Sequence, residues 1–131
     1  MRIEKTELEG CYLLHPTPHT DERGWFARVY CANEMEEINT QPFVQINHSF
    51  NIHKGTIRGM HYQLPPFTEN KLIRCIAGSI FDVVVDIRKD SKTFLKHFSV
   101  ELSAKNQTMI FIPEGFAHGF QTLEDNTEII Y

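Results

Sequence analysis

A chain of 131 residues with 41% apolar and 23% charged side chains has ordinary globular values and is long enough for one domain with a real core. Seventeen acidic against thirteen basic residues leave a net charge of −4, which excludes a general basic surface and argues against nucleic acid as a partner. A nucleotide-sized anion stays open, because it needs only a local cluster of Arg and Lys.

In chain order, Leu8 to Leu14 predicts a short strand closed by the turn-rich His15-Pro16-Thr17-Pro18. Asp21-Glu22-Arg23-Gly24 reads as a tight turn that launches a strand over Trp25 to Tyr30. One short helix is expected, Asn33 to Ile38, with Asn33 as its cap and Glu36 completing a capping box. From Phe43 onward the chain reads as strands: Phe43 to Ser49, Ile57 to Gln63, Leu72 to Ile76, Ile80 to Arg88, His97 to Ser103, Thr108 to Ile112, Phe116 to Leu123 and Thr127 to Tyr131. Within Ile80 to Arg88, Phe81, Val83, Val85 and Ile87 form the apolar face, with Asp82, Val84 and Asp86 opposite. Phe98, Val100 and Leu102 are expected to point inward from their strand. Short strands at this spacing, with turn residues between them, predict an all-β antiparallel jelly-roll barrel whose open mouth could form a pocket.

No apolar run approaches the ~18 residues of a membrane span, and Met1-Arg2-Ile3-Glu4-Lys5 does not read as a signal peptide. Cys11, Cys31 and Cys75 are widely spaced and lack a CxxC pattern, so free thiols in a reducing cytoplasm are expected.

The chemistry concentrates in Lys54-Gly55-Thr56-Ile57-Arg58-Gly59-Met60-His61-Tyr62-Gln63, with Lys71 just beyond. His61 is a candidate base, since an imidazole can accept a proton near neutral pH. Arg58 and Lys71 beside it call for an anion. Arg58 and His61 are three apart, so a plain strand sends them to opposite faces, unless Gly59 marks a bulge that re-aims one. Lys71 could stabilise an enolate oxygen or bind phosphate. Asp82 and His118 could pair, though the sequence alone does not bring them together; Asp82 could equally be a solvated charge on an exposed sheet face, and His118 a structural histidine near a turn. Tyr131 is a candidate acid, against the expectation that a terminal residue frays. A metal is not expected. The position two after His61 is Gln63, and the nearest histidine pair, His15 and His19, brackets a proline-rich turn. No nucleophile elbow or phosphate-binding glycine loop occurs.

Several segments carry a resemblance. They are Asp21-Glu22-Arg23-Gly24-x-Phe26, Gln45-x-Asn47-His48-Ser49, Lys54-Gly55-x-x-Arg58-Gly59-x-His61-Tyr62-Gln63, Lys71-Leu72, Phe81-Asp82-Val83-x-Val85-Asp86-Ile87-Arg88 and Ile112-Pro113-Glu114-Gly115-Phe116-Ala117-His118-Gly119-Phe120. In this order, and over almost the whole chain, they resemble the dTDP-4-dehydrorhamnose 3,5-epimerases, which are cupin-fold sugar-nucleotide enzymes. The resemblance implies His61 as catalytic base and Tyr131 as catalytic acid. It implies Lys71, Arg58 and His118 as substrate contacts, Asp82 as an acidic residue of the pocket, and Arg23, Phe26, Gln45 and Asn47 as positions that help hold the nucleotide sugar. It implies no cofactor, a dTDP-4-keto-6-deoxysugar substrate, no membrane partner, and a homodimer that exchanges strands.

Where the family usually has a glutamate two residues after its Phe, this chain has Arg28, a possible substrate contact of reversed charge. Family members also typically continue into a C-terminal tail with an Asp that orients the catalytic histidine, so residues 1–131 are expected to be a single cupin domain lacking that tail. Two other activities fit the same motifs less closely. One is a 3,4-ketoisomerase acting on the same nucleotide sugars, the other a non-catalytic sugar-nucleotide binding cupin.

Overall fold

A computed structural model describes residues 1–39 and 41–131. Its strands are β1 (Arg2–Lys5), β2 (Tyr12–His15), β3 (His19–Asp21), β4 (Gly24–Phe26), β5 (His48–Asn51), β6 (Ile57–His61), β7 (Lys71–Ala77), β8 (Ser79–Asp86), β9 (His97–Ser103), β10 (Met109–Ile112), β11 (Phe116–Thr122) and β12 (Thr127–Ile130). The helix α1 (Ala32–Met35) lies between β4 and β5. A six-stranded sheet runs β1-β2-β10-β7-β12-β5, and a four-stranded sheet runs β6-β11-β8-β9. Every strand pairing is antiparallel. The expected cupin-type antiparallel jelly roll is the fold observed.

The core lies between the two sheets. Ile73, Cys75, Ile110, Ile112 and Ile129 from the large sheet meet Ile80, Val84, Leu102, Phe116 and Phe120 from the small one. A second cluster covers the outer face of the large sheet, where Leu14, Met109 and Phe111 pack under Met35 and Phe43. This explains the unbroken apolar run of β10. Ile110 and Ile112 face the barrel interior, Met109 and Phe111 face the outer cluster, and all four are buried.

Four local readings are corrected. The inward face of β8 is Ile80, Asp82, Val84 and Asp86, while Phe81 is exposed and Val83 and Val85 are half-buried. Both faces of this strand carry apolar residues, so alternation alone does not say which is inside. Phe98, Val100 and Leu102 on β9 do point to the core, as expected. The helix starts at Ala32, after Cys31 in extended geometry, and no side chain caps it. Asn33 is inside the helix. Met35 is drawn into the outer cluster, and Glu34 is fixed by the Met1 ammonium at 3.0 Å and by Arg28 at 3.1 Å. The strand expected over Phe43 to Ser49 begins only at His48, and that over Leu8 to Leu14 only at Tyr12.

Asp86 anchors the end of β8. It is wholly buried and accepts hydrogen bonds from Arg88 Nε at 2.9 Å, from Thr93 Oγ1 at 2.6 Å and from Ser91 Oγ. Burial pushes its carboxyl up, but the bonds from Arg88, Ser91 and Thr93 outweigh that and hold it well below the usual range. Arg88 also stacks over Phe116, 4.5 Å from the ring centre. This network closes the end of the barrel around the β8–β11 pairing. No helix among the described residues is long and apolar enough to cross a membrane.

Candidate functional site

The site is built where β6 meets β11. His61 lies opposite His118, and Arg58 opposite Phe120, so three steps along β6 match two along β11. That is a bulge of one residue, and it resolves the parity conflict between Arg58 and His61. Gly59 makes it possible. Its φ is +108°, and a Cβ there would stand 2.6 Å from Gly119 Cα and 2.7 Å from the His118 carbonyl oxygen. Gly119 leaves space in return, since a Cβ there would stand 2.8 Å from the Arg58 carbonyl oxygen. The two glycines let the strands approach, and both Arg58 and His61 then face one chamber.

That chamber holds about 510 Å³ and opens between the two sheets. This is within the range of about 300–1,000 Å³ typical of small-molecule sites. The small sheet contributes Arg58, His61 and His118 to its wall; the large sheet contributes Lys71 and Ile129. Gln45 and Asn47 enter from the segment before β5, and Tyr131 from just after β12. A second cavity of about 220 Å³ adjoins it on the side of Tyr30, Phe43 and Leu72, and shares Gln45, Asn47, Glu69, Lys71 and Tyr131 with it.

Each polar side chain has a distinct setting. His118 Nε2 donates to Asp82 Oδ2 at 2.7 Å, in a buried pair, which fixes the ring's orientation. Asp82 is 1% exposed, so the reading of it as a solvated surface charge does not hold. It stands behind His118 rather than in the chamber wall, and acts on the chamber through that ring. Arg58 Nε donates to Asn51 Oδ1 at 2.6 Å, and the Asn51 amide donates to the Thr127 carbonyl at 3.2 Å. A guanidinium tied at Nε to a neutral oxygen keeps its terminal nitrogens available for a two-point contact with an anion. Lys71 Nζ lies 3.1 Å from Glu69 Oε1. Tyr131 is 39% exposed but not frayed: its N–H donates to the Asn47 carbonyl at 3.0 Å, and its carbonyl accepts from the Asn47 N–H at 2.6 Å. This reciprocal pair continues the β5–β12 ladder and holds the residue at the chamber.

The structure thus brings together His61, Tyr131, Lys71, Arg58, Gln45, Asn47 and His118, with Asp82 behind. It does not bring Arg23, Phe26 or Arg28 to this chamber. Arg23 pairs with Asp21 on the β3–β4 hairpin, Arg28 pairs with Glu34, and Phe26 is 69% exposed. Asn51 and Glu69 escaped the sequence reading. Asn51 could only have been found by recognising it as the buried end of β5. Glu69 carried a clearer signal, a carboxylate two residues before the candidate lysine. Among the described residues, no three His, Cys, Asp or Glu side chains are grouped to share a metal ion.

Barrel and chamber together define a cupin whose mouth gathers imidazole, phenol and cations around one small-molecule site. Residues 5–131 match the sequence model of the family described as dTDP-4-dehydrorhamnose 3,5-epimerase. The protein of that name from Shigella flexneri is 47% identical over 133 aligned residues, covering 100% of this chain and 73% of the relative. A crystal structure of the Bacillus anthracis dTDP-4-dehydrorhamnose 3,5-epimerase with TDP and PPi bound superposes with a TM-score of 0.95 at 41% identity, covering 98% of this chain and 74% of that one. A Legionella pneumophila dTDP-6-deoxy-D-glucose-3,5-epimerase in complex with dTDP-4-keto-L-rhamnose gives a TM-score of 0.92 at 39% identity, covering 98% and 69%. The chain belongs to the dTDP-4-dehydrorhamnose 3,5-epimerase family.

Proposed function

We propose that this protein epimerises a dTDP-linked 4-keto-6-deoxyhexose, with His61 as base, Tyr131 as acid on the other face of the sugar, and Lys71 at the 4-oxygen. The ketone makes the hydrogens on C3 and C5 acidic. His61 takes one; the C–H electron pair moves into the ring and charge gathers on the 4-oxygen. Lys71 and neighbouring donors stabilise that charge. Tyr131 returns a proton to the opposite face, and the configuration inverts. Arg58 supplies paired donors to the diphosphate, with Gln45 and Asn47 beside it. His118, oriented by Asp82, contacts the sugar. The observation that supports this most is that His61, Arg58, Lys71 and Tyr131, drawn from both sheets, line one chamber.

A second copy of the chain completes the site in this reading. Among the described residues the β3–β4 hairpin pairs only with itself, and it carries Trp25, Phe26 and Arg23 exposed to solvent. Its docking onto a partner's chamber would bury that apolar surface and deliver Arg23 and Phe26 to the nucleotide. We place the work in the cytoplasm, where the free cysteines suit the redox poise.

The test is incubation with dTDP-4-keto-6-deoxyglucose in D₂O, following the C3 and C5 protons by NMR. Solvent deuterium at an inverted carbon, abolished by His61→Ala, is expected. A moved carbonyl would identify a 3,4-ketoisomerase instead. Tight dTDP-sugar binding with no deuterium incorporation would leave a binding module.

A further inference from the structure

We propose that Glu69 is a positioning residue for Lys71, and that it aims the lysine at the expense of anion affinity. The inference rests on the chamber being a sugar-nucleotide site. Glu69 lies on the loop between β6 and β7, and its Oε1 is 3.1 Å from Lys71 Nζ. The Lys71 side chain is 16% exposed and that of Glu69 34%, so the pair is half-shielded from water. Both residues line the main chamber and the adjoining cavity. The pair therefore stands where the two spaces join.

The two cations of the chamber are held differently. Arg58 is tied to the neutral oxygen of Asn51, and Lys71 to a carboxylate. Glu69 is the one carboxylate side chain among the described residues of the chamber wall, since Asp82 stands behind His118. A negative charge here opposes a diphosphate and pairs with the ammonium. What it supplies is direction. A lysine swings on a long flexible stem, and its ammonium has three donors. Held by the ion pair with Glu69, the ammonium keeps donors for an oxygen on which charge develops. Donors fixed before the reaction stabilise such charge without reorganising during it. The two consequences have opposite signs, and a merely structural residue would not produce that pattern.

The experiment compares the intact chain with Glu69→Gln and Glu69→Asp. Calorimetry with dTDP reads affinity, deuterium exchange on dTDP-4-keto-6-deoxyglucose reads turnover, and ¹H–¹⁵N spectra of the lysine ammonium groups read the holding of Lys71, assigned by its loss in Lys71→Arg. In Glu69→Gln the dTDP Kd is expected to fall about threefold to tenfold, as a repelling charge is removed from a partly shielded site. Its exchange rate is expected to fall about tenfold or more, as the ammonium loses its aim. Glu69→Asp keeps the charge and shortens the reach, so dTDP affinity stays within about twofold while exchange slows. The Lys71 ammonium signal should be present in the wild type and lost in Glu69→Gln. Affinity and exchange falling together in Glu69→Gln, or neither changing, would overturn the proposal. If the wild type shows no exchange, the epimerase reading falls by itself. The ammonium signal and dTDP affinity then decide the role of Glu69, for it if the signal is lost and affinity rises, against it otherwise.

Discussion

Arg58 owes its place to Asn51. The asparagine is buried, its amide is anchored on the Thr127 carbonyl, and its oxygen takes the Arg58 Nε–H. Asn51→Ala is expected to leave the guanidinium unheld and weaken dTDP binding by about 1–3 kcal/mol, the usual cost of a lost charge-assisted hydrogen bond. Calorimetry checks this, with a melting curve to show that the fold survives. The thiols give a second prediction at this scale. Burial pushes Cys11 up to about 12 and Cys75 up to about 11, so neither offers a thiolate at neutral pH. Cys31 is half-buried. One thiol, Cys31, should react with a chromogenic disulfide in the native protein, and all three after unfolding. The catalytic candidates themselves were legible in the sequence, because His61, Arg58 and Lys71 interrupt β-type residues with charge that needs a partner. Asn51 and Glu69 were not, because each gains its role from a neighbour that only the fold supplies.

The bulge between β6 and β11 is the element that makes the site. It places Arg58 and His61 on one side despite their odd spacing. Gly59→Ala would put a methyl group against the Gly119 and His118 backbones in a positive-φ conformation. It is expected to destabilise the protein by about 3 kcal/mol and to remove most activity, because neither backbone can yield cheaply. Thermal melts and the exchange assay together check this. A melt within a degree of wild type would contradict the account. The glycine was readable as a bulge candidate from the Arg58–His61 conflict. The inward face of β8 was not readable, since Phe81, Val83 and Val85 alternate as cleanly as Ile80 and Val84, and only the opposing sheet decides between them. The helix start differs for a related reason: Asn33 looks like a cap locally, but with Glu34 paired to Met1 and Arg28 the cap falls two residues earlier, at Cys31.

At the scale of the molecule, the barrel's acid stability should trace to Asp86. Its carboxyl titrates lower in the folded chain than the ~3.9 of an unfolded one. The stability this contributes is present above that unfolded value and is lost as pH falls below it toward the folded value. Asp86→Asn should therefore destabilise at pH 7 by about 3 kcal/mol, because Arg88 loses its buried partner, and should flatten the acid limb of the stability profile. Urea titrations from pH 7 down to pH 3 read both effects. The proposed strand-exchanged dimer has its own test. If Arg23 serves the partner's chamber, Arg23→Ala and His61→Ala subunits should complement when mixed, restoring about a quarter of wild-type activity from random pairing. No recovery would mean that Arg23 does not act across an interface. The jelly roll could be read from strand spacing, but the free-standing β3–β4 hairpin could not. The family resemblance implies substrate roles for Arg23 and Phe26, yet they stand away from the chamber of their own chain.

The central claim is that His61 and Tyr131 act from opposite faces of one sugar. Deuterium incorporation by Tyr131→Phe tests it most directly, with the configuration at C3 and C5 read in the same NMR spectrum. With the base intact and the acid gone, the account predicts that solvent deuterium still enters while the original configuration is retained. Inversion at the wild-type rate in Tyr131→Phe, or deuterium incorporation surviving in His61→Ala, would contradict it.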